Sequence, residues 1–195
     1  CLACAHRCLI RPGNSGICKV RWNHAGKLFV PNGYVVGLHP DPIEKKPFFH
    51  VLPGSIAMTF GMLGCNFHCD FWQNWFTSQY ARDPRSLRAV ESARLMSAEE
   101  VVKEALAYGA KSVVSSYNEP LISSEWAVSV FKQAQPAGLK CVYISNGNAT
   151  PEVLRYLRPY LSAYKIDLKT MQEKHYRQLG GVLQNVLDSI RLAHE

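Results

Sequence analysis

Two cysteines stand four positions apart in the stretch Gly64-Cys65-Asn66-Phe67-His68-Cys69-Asp70-Phe71-Trp72-Gln73-Asn74-Trp75, directly after the apolar run Ser55 to Leu63. Soft thiolates in a tight loop behind a buried strand suit an iron–sulfur cluster or a zinc ion. Two thiols at this spacing are also common as plain core residues. Four more cysteines open the chain: Cys1, Cys4, Cys8 and Cys18 spell C-x2-C-x3-C-x9-C, with Gly13 and Gly16 free to turn the backbone back on itself. Four thiolates around one centre suit tetrahedral zinc or an auxiliary cluster, and the ribbon-like spacing favours a structural zinc. His6 and His24 are further candidate ligands, although a surface histidine is the plainer reading of each. The seventh cysteine, Cys141, opens an apolar run and reads as a core thiol. An odd number of cysteines in C-x2-C and C-x3-C spacings points to metal rather than disulfides, and so to a reducing, cytoplasmic compartment.

The elements that must position these groups alternate strand and helix from Ser55 onward. Ile56 to Met62 reads as a first strand ending at the Cys65 loop. Residues 76 to 96 are polar and arginine-rich, a loop with a short helix. Ser97-Ala98-Glu99-Glu100 is a capping box that starts a helix running to about Tyr108 and stopped by Gly109. Ser112 to Ser116, Cys141 to Ser145 and Ala163 to Asp167 read as three more strands. Leu121 to Gln135, a segment capped by Thr150 with Pro151 at its first position, and Val182 to Ala193 read as helices. Successive βα units imply a parallel sheet with right-handed crossovers. Upstream, residues 21 to 50 read as short strands and loops, with a turn at Asn32-Gly33. The prolines of Asp41-Pro42, Lys46-Pro47 and Pro53-Gly54 form a stiff connector, which divides the chain into a Cys-rich segment, 1–50, and an α/β unit, 51–195.

Ligands of parallel sheets bind at the carboxyl ends of the strands. Those ends carry the cysteine loop, then Tyr117-Asn118-Glu119-Pro120, then Ser145-Asn146-Gly147-Asn148, then Asp167-Leu168-Lys169. All four should meet on one rim. Taken singly, Asn-Glu-Pro is a common entry to a helix, and Asp-Leu-Lys a common strand exit.

With 47% hydrophobic residues, a chain of 195 residues can bury a substantial core, which excludes a disordered polymer. Its formal charge of +7 is spread along the chain rather than gathered, which argues for a solvated surface over a nucleic-acid binder. No apolar run reaches membrane-spanning length and no signal peptide is visible.

The Gly64–Trp75 stretch resembles the radical S-adenosylmethionine (SAM) signature C-x3-C-x2-C, with Trp72 at the third cysteine position. Gly64, Asn66-Phe67 and Gln73-Asn74-Trp75 look like the pyruvate formate-lyase-activating-enzyme-like group. Asp41-Pro42-Ile43-Glu44-Lys45-Lys46-Pro47 and Pro53-Gly54-Ser55 are similar to one branch of it, the AmmeMemoRadiSam system enzymes. The resemblance implies a partial (β/α)6 barrel, of which this chain supplies about four units, as a fragment or a shortened member. It implies a [4Fe–4S] cluster on Cys65 and Cys69, fed by an external electron donor. It implies reductive cleavage of SAM to methionine and a 5′-deoxyadenosyl radical that abstracts hydrogen from a substrate. Asn118 and Glu119 look like the branch's motif for the SAM amino group, and Asp167-x-Lys169 is similar to a ribose-contacting motif; with Ser145 they make the expected SAM site. The activating-enzyme likeness suggests a protein substrate, and the branch is associated with Memo-like and AMMECR1-like partners. His68, Asp70, Tyr117 and His175 are further residues that could face a substrate. An indole cannot ligate iron, so Trp72 raises an alternative: a non-catalytic scaffold that binds SAM or a partner.

Overall fold

The computed structural model describes residues 1–69 and 74–195. Residues 22–24 and 27–29 form a small antiparallel hairpin, β1 and β2, turned by Ala25-Gly26, both at positive φ. Tyr34–Val35 (β3) pairs with Arg94–Leu95, and Gly37–Pro42 (β4) enters the main sheet. There follow Ile56–Gly61 (β5), a short helix Trp75–Ser78 (α1), Arg94–Leu95 (β6), Ala98–Ala107 (α2), Ser112–Ser115 (β7) and Ser124–Ala134 (α3). Lys140–Ser145 (β8), Pro151–Leu157 (α4), Ala163–Ile166 (β9), Glu173–Gln178 (α5) and Leu183–His194 (α6) complete the order.

Among the described residues the main sheet runs β4-β5-β7-β8-β9, and the last four strands are parallel. These are the four strands read from the apolar runs. The sheet is open; no closed barrel forms among the described residues. β4 lies antiparallel to β5, with Gly37 opposite Gly61 and Pro42 opposite Ile56, so residues 37–42 join the same sheet as the βα units. Pro40 and Pro42 are tolerated there because an outermost strand has one row of backbone groups with no partner to satisfy.

The period-two alternation of each strand sorts the side chains. Met58, Phe60, Val113, Cys141 and Tyr143 point to the face covered by α2, α3 and α4, where they meet Val101, Leu121, Val130 and Phe131. Cys141 is fully buried there, as a core thiol. Ala57, Val114 and Val142 point to the other face, against Ile43 and Phe48 from the segment that follows β4. That segment therefore forms a lid on the second face as well as a connection. The helices start where their caps dictate. Ser97 Oγ accepts from Glu100 N while Glu100 Oε2 accepts from Ser97 N, and Thr150 Oγ1 accepts from Val153 N ahead of Pro151.

The Cys-rich segment is tied to the α/β unit by buried polar bonds. Ala5 N donates to Asn148 O at 2.9 Å. The buried Arg21 guanidinium donates to Ile122 O at 2.7 Å and pairs with Glu125 at the start of α3. Among the described residues no helix is long and apolar enough to cross a membrane.

Candidate functional site

The loop after β5 is folded by two demands on glycine. Gly64 has φ +93°, and a Cβ there would sit 2.7 Å from Val20 Cγ1. Across the loop, a Cβ on Gly181 would meet the Phe67 ring at 2.5 Å, so the glycine lets the chain before α6 press directly on the loop. The result buries Cys65, Asn66, Phe67 and Cys69 and leaves His68 exposed. Phe67 N donates to Cys65 Sγ at 3.3 Å. Burial pushes the Cys65 thiol well above its ordinary pKa, and the nearby Glu119 charge adds to the effect.

Glu119 is the hub of the strand ends. Its Oε1 accepts from Leu121 N at 3.0 Å and from Ser145 Oγ at 2.8 Å, and its Oε2 accepts from Asn146 N at 2.8 Å. One carboxylate thus clamps the end of β8 to the turn after β7. Burial pushes its pKa up to about 7, against the downward pull of those three donors. Asn118 Oδ1 accepts from Met62 N at 3.0 Å and fixes the end of β5 to the same turn. Asn146 Nδ2 donates to Asn66 Oδ1 at 2.7 Å, linking the end of β8 to the cysteine loop. At the last strand, Asp167 pairs with Lys165 and with Lys169 Nζ at 3.0 Å. Burial alone would raise the Asp167 carboxyl, but Lys169 and Lys165 outweigh it and hold it below the usual range.

All five residues expected at a SAM site, Asn118, Glu119, Ser145, Asp167 and Lys169, line one cavity of about 480 Å³ at the carboxyl ends of the strands. Its floor is built from polar groups that are already paired, while Asp167 and Lys169 stand on the more open side. The fit to SAM is good in donor set and in volume. Cys65 and Cys69 lie beside it, around a space of only about 10 Å³ shared with Glu119, Asn146 and Lys169, which is room for one water. The third signature position, Trp72, and Asp70 lie outside the described residues. Two thiols and an indole do not make a three-thiolate tripod, so this donor set does not fit a [4Fe–4S] cluster. A larger cleft of about 560 Å³, between α4 and the end of α6, holds none of the motif residues.

Cys4, Cys8 and Cys18 are near enough for their charges to interact, and burial pushes Cys4 up to about 11. Yet among the described residues no three His, Cys, Asp or Glu side chains are arranged to hold a metal ion. The zinc or auxiliary cluster expected on Cys1, Cys4, Cys8 and Cys18 finds no support in this arrangement. His6 Nε2 instead lies 3.1 Å from Asn66 O, and His175 Nδ1 lies 3.4 Å from Thr170 Oγ1, away from the cavity.

One wall of the cavity is not evident from the strand ends alone. Lys45, Lys46 and Tyr117 line it, held by the buried Asp41 behind them. Asp41 Oδ1 accepts from Lys45 Nζ at 2.7 Å, and its Oδ2 pairs with Lys46 Nζ at 2.8 Å and accepts from Tyr117 Oη at 2.8 Å. The signal was in the sequence, as two lysines four and five positions after an aspartate, but the surrounding prolines made the stretch read as a connector. Burial would raise the Asp41 carboxyl; the bonds from Lys45, Lys46 and Tyr117 win and hold it at about 2. A carboxyl held low in the folded state stabilises above its unfolded pKa, and that stability is lost as pH falls toward the folded value. The loss is expected between about pH 4 and pH 2, and amounts to roughly 1–2 kcal/mol after allowing for the solvent-exposed Lys45 arm. Urea titrations of the wild type and Asp41→Asn across that range should show this slope in the wild type alone.

Comparison with known proteins follows the geometry. The family model described as Radical SAM superfamily matches residues 60–195. An uncharacterized protein of Methanocaldococcus jannaschii is 34% identical over 194 residues, covering 99% of this chain and 56% of the relative. The chain therefore spans little more than half the length of the curated relative it matches. Members of the superfamily generally use a [4Fe–4S] cluster and SAM. With the matched region running from the end of β5 through every parallel strand end that lines the cavity, the chain belongs to the radical SAM superfamily.

Proposed function

We propose that the chain binds SAM in the 480 Å³ cavity, with Asp167 and Lys169 on its open side and Glu119, Asn118 and Ser145 as its floor. The observation that carries this reading is the convergence of those five residues, from three strand ends, on one cavity beside Cys65 and Cys69. The family reaction is reductive cleavage of SAM, with electrons from an external donor, to give methionine and a 5′-deoxyadenosyl radical that abstracts hydrogen. The Asp41–Pro47 and Pro53–Ser55 phrases support the AmmeMemoRadiSam branch, with Memo-like and AMMECR1-like partners, and the activating-enzyme likeness supports a protein substrate. The cysteine usage supports a cytoplasmic setting.

A second reading has its own observation. Trp72 removes one of three thiolates, which favours a SAM-binding scaffold without turnover. Calorimetry separates both from no function at this site. The wild type should bind SAM, and Asp167→Asn should weaken binding roughly tenfold or more if its carboxylate accepts charged hydrogen bonds. A wild-type chain that takes up no SAM would remove both readings. Formation of 5′-deoxyadenosine by the wild type under strong reductant would remove the scaffold reading.

A further inference from the structure

The cavity is flanked by two clusters of the same composition. On one side Lys45 and Lys46 share Asp41; on the other Lys165 and Lys169 share Asp167. Each aspartate answers two ammonium groups, so each cluster keeps one positive charge in excess. The cavity remains net positive even with Glu119 counted as ionised. SAM is itself a cation through its sulfonium, so this excess is not explained by SAM and would suit a second, negatively charged occupant.

The first cluster is a built wall rather than a chance meeting of surface lysines. Lys46 has a side chain only 6% exposed, and its Nζ sits 4.3 Å from the Tyr117 ring centroid, over the face. Tyr117 holds φ +70°, a conformation costly for an aromatic residue and kept only where surrounding structure enforces it. Gly61 leaves the room: a Cβ there would meet Ser116 O at 2.6 Å and Tyr117 Cβ at 2.8 Å. Lys45, by contrast, is 66% exposed on the same aspartate. An exposed ion pair is weakly held, so its ammonium can turn to an incoming anion at little cost. Lys165 holds the matching position on the opposite side.

We propose that this cavity takes a small organic anion, bearing carboxylate or phosphate, as its second ligand, held between Lys45 and Lys165. The proposal rests on reading the cavity as the SAM site and names the substrate class that site admits. Its volume suits one small molecule.

The test titrates citrate and pyrophosphate, as carboxylate and phosphate probes, into the full chain by calorimetry at low and moderate salt. One of the two should bind with one-to-one stoichiometry. Lys45→Gln and Lys165→Gln should each weaken it at least fivefold, while Lys132→Gln on α3, whose lysine packs on Tyr160, should leave it unchanged. Lys45 is exposed, so its variant tests the wall without unfolding it. Lack of one-to-one binding overturns the proposal, as does binding insensitive to both lysines or equally sensitive to Lys132→Gln. So does lysine-dependent binding of a poly-glutamate peptide in place of either small probe, which would point to an acidic protein segment. SAM titrated into the same samples separates the two readings. SAM binding without anion binding removes this proposal alone, and absence of SAM binding removes the reading beneath it.

Discussion

Trp72→Cys should raise the iron content of the anaerobically reconstituted chain from less than one to about four per molecule, and give a reduced-cluster EPR signal that changes when SAM is added. The expectation follows from the donor set. Cys65 and Cys69 are buried side by side on a loop held by Gly64, Gly181 and the Asn66–Asn146 bond. Two thiolates leave two irons of a cube without protein ligands, and an indole supplies no lone pair for a third. His68 is exposed and adjacent to Cys69, and Cys141 is sealed under α3, so neither can replace the missing thiolate. Indole is also much larger than a thiol, and the space beside the two cysteines holds no more than a water. A stable four-iron signal with SAM turnover from the Trp72 protein would overturn the expectation. So would a folded Trp72→Cys chain that still takes up no iron, since the defect would then lie outside residue 72.

The sequence carried most of the frame and half of the site. The four parallel strands lie within one residue of their apolar runs, because burial on both faces leaves an uninterrupted stretch of Val, Ile, Phe and Tyr. The capping box at Ser97 and the Thr150-Pro151 start were legible because they are local hydrogen-bond chemistry. β4 was not, since Pro40 and Pro42 argue against a strand unless the strand is known to be outermost, which is a property of the whole sheet. α5 was missed for a different reason: Tyr176 is its one buried residue, so it shows no apolar period. At the site, strand-end reasoning found the five residues of the rim but assigned Glu119 outward, to a ligand. Three donors from its own chain show that it faces inward, and no one-dimensional pattern reveals which way a carboxylate turns. The Lys45–Lys46–Tyr117 wall depends on a contact across 76 positions between Asp41 and Tyr117, equally invisible to spacing.

Glu119→Ala should therefore be a stability mutation before it is a binding mutation. Removing the carboxylate strands Leu121 N, Ser145 Oγ and Asn146 N, all buried. A buried donor left without a partner costs about 1–3 kcal/mol, so with partial relief by entering water the total should be about 3 kcal/mol or more. For a chain of this size that lowers the melting temperature by roughly 6–12 °C. Glu119→Gln keeps the oxygen that serves Leu121 and Ser145 but turns an amide toward Asn146 N, so it should cost about 1–3 kcal/mol. The pH dependence distinguishes the carboxylate from mere packing. Burial sets the folded carboxyl at about 7, above its unfolded value near 4.5. Below about pH 4.5 both states are protonated and no penalty exists. As pH rises from there to about 7 the unfolded chain ionises first, so the folded state holds the extra proton and stability falls. The Gln variant should lack that decline. Thermal melts of the three proteins at pH 5 and pH 7.5 measure both effects. A Glu119→Ala melting temperature within a degree of wild type would mean that the strand ends hold together without the clamp. Glu119 would then be free to serve a bound ligand, as its place after the second parallel strand first suggested.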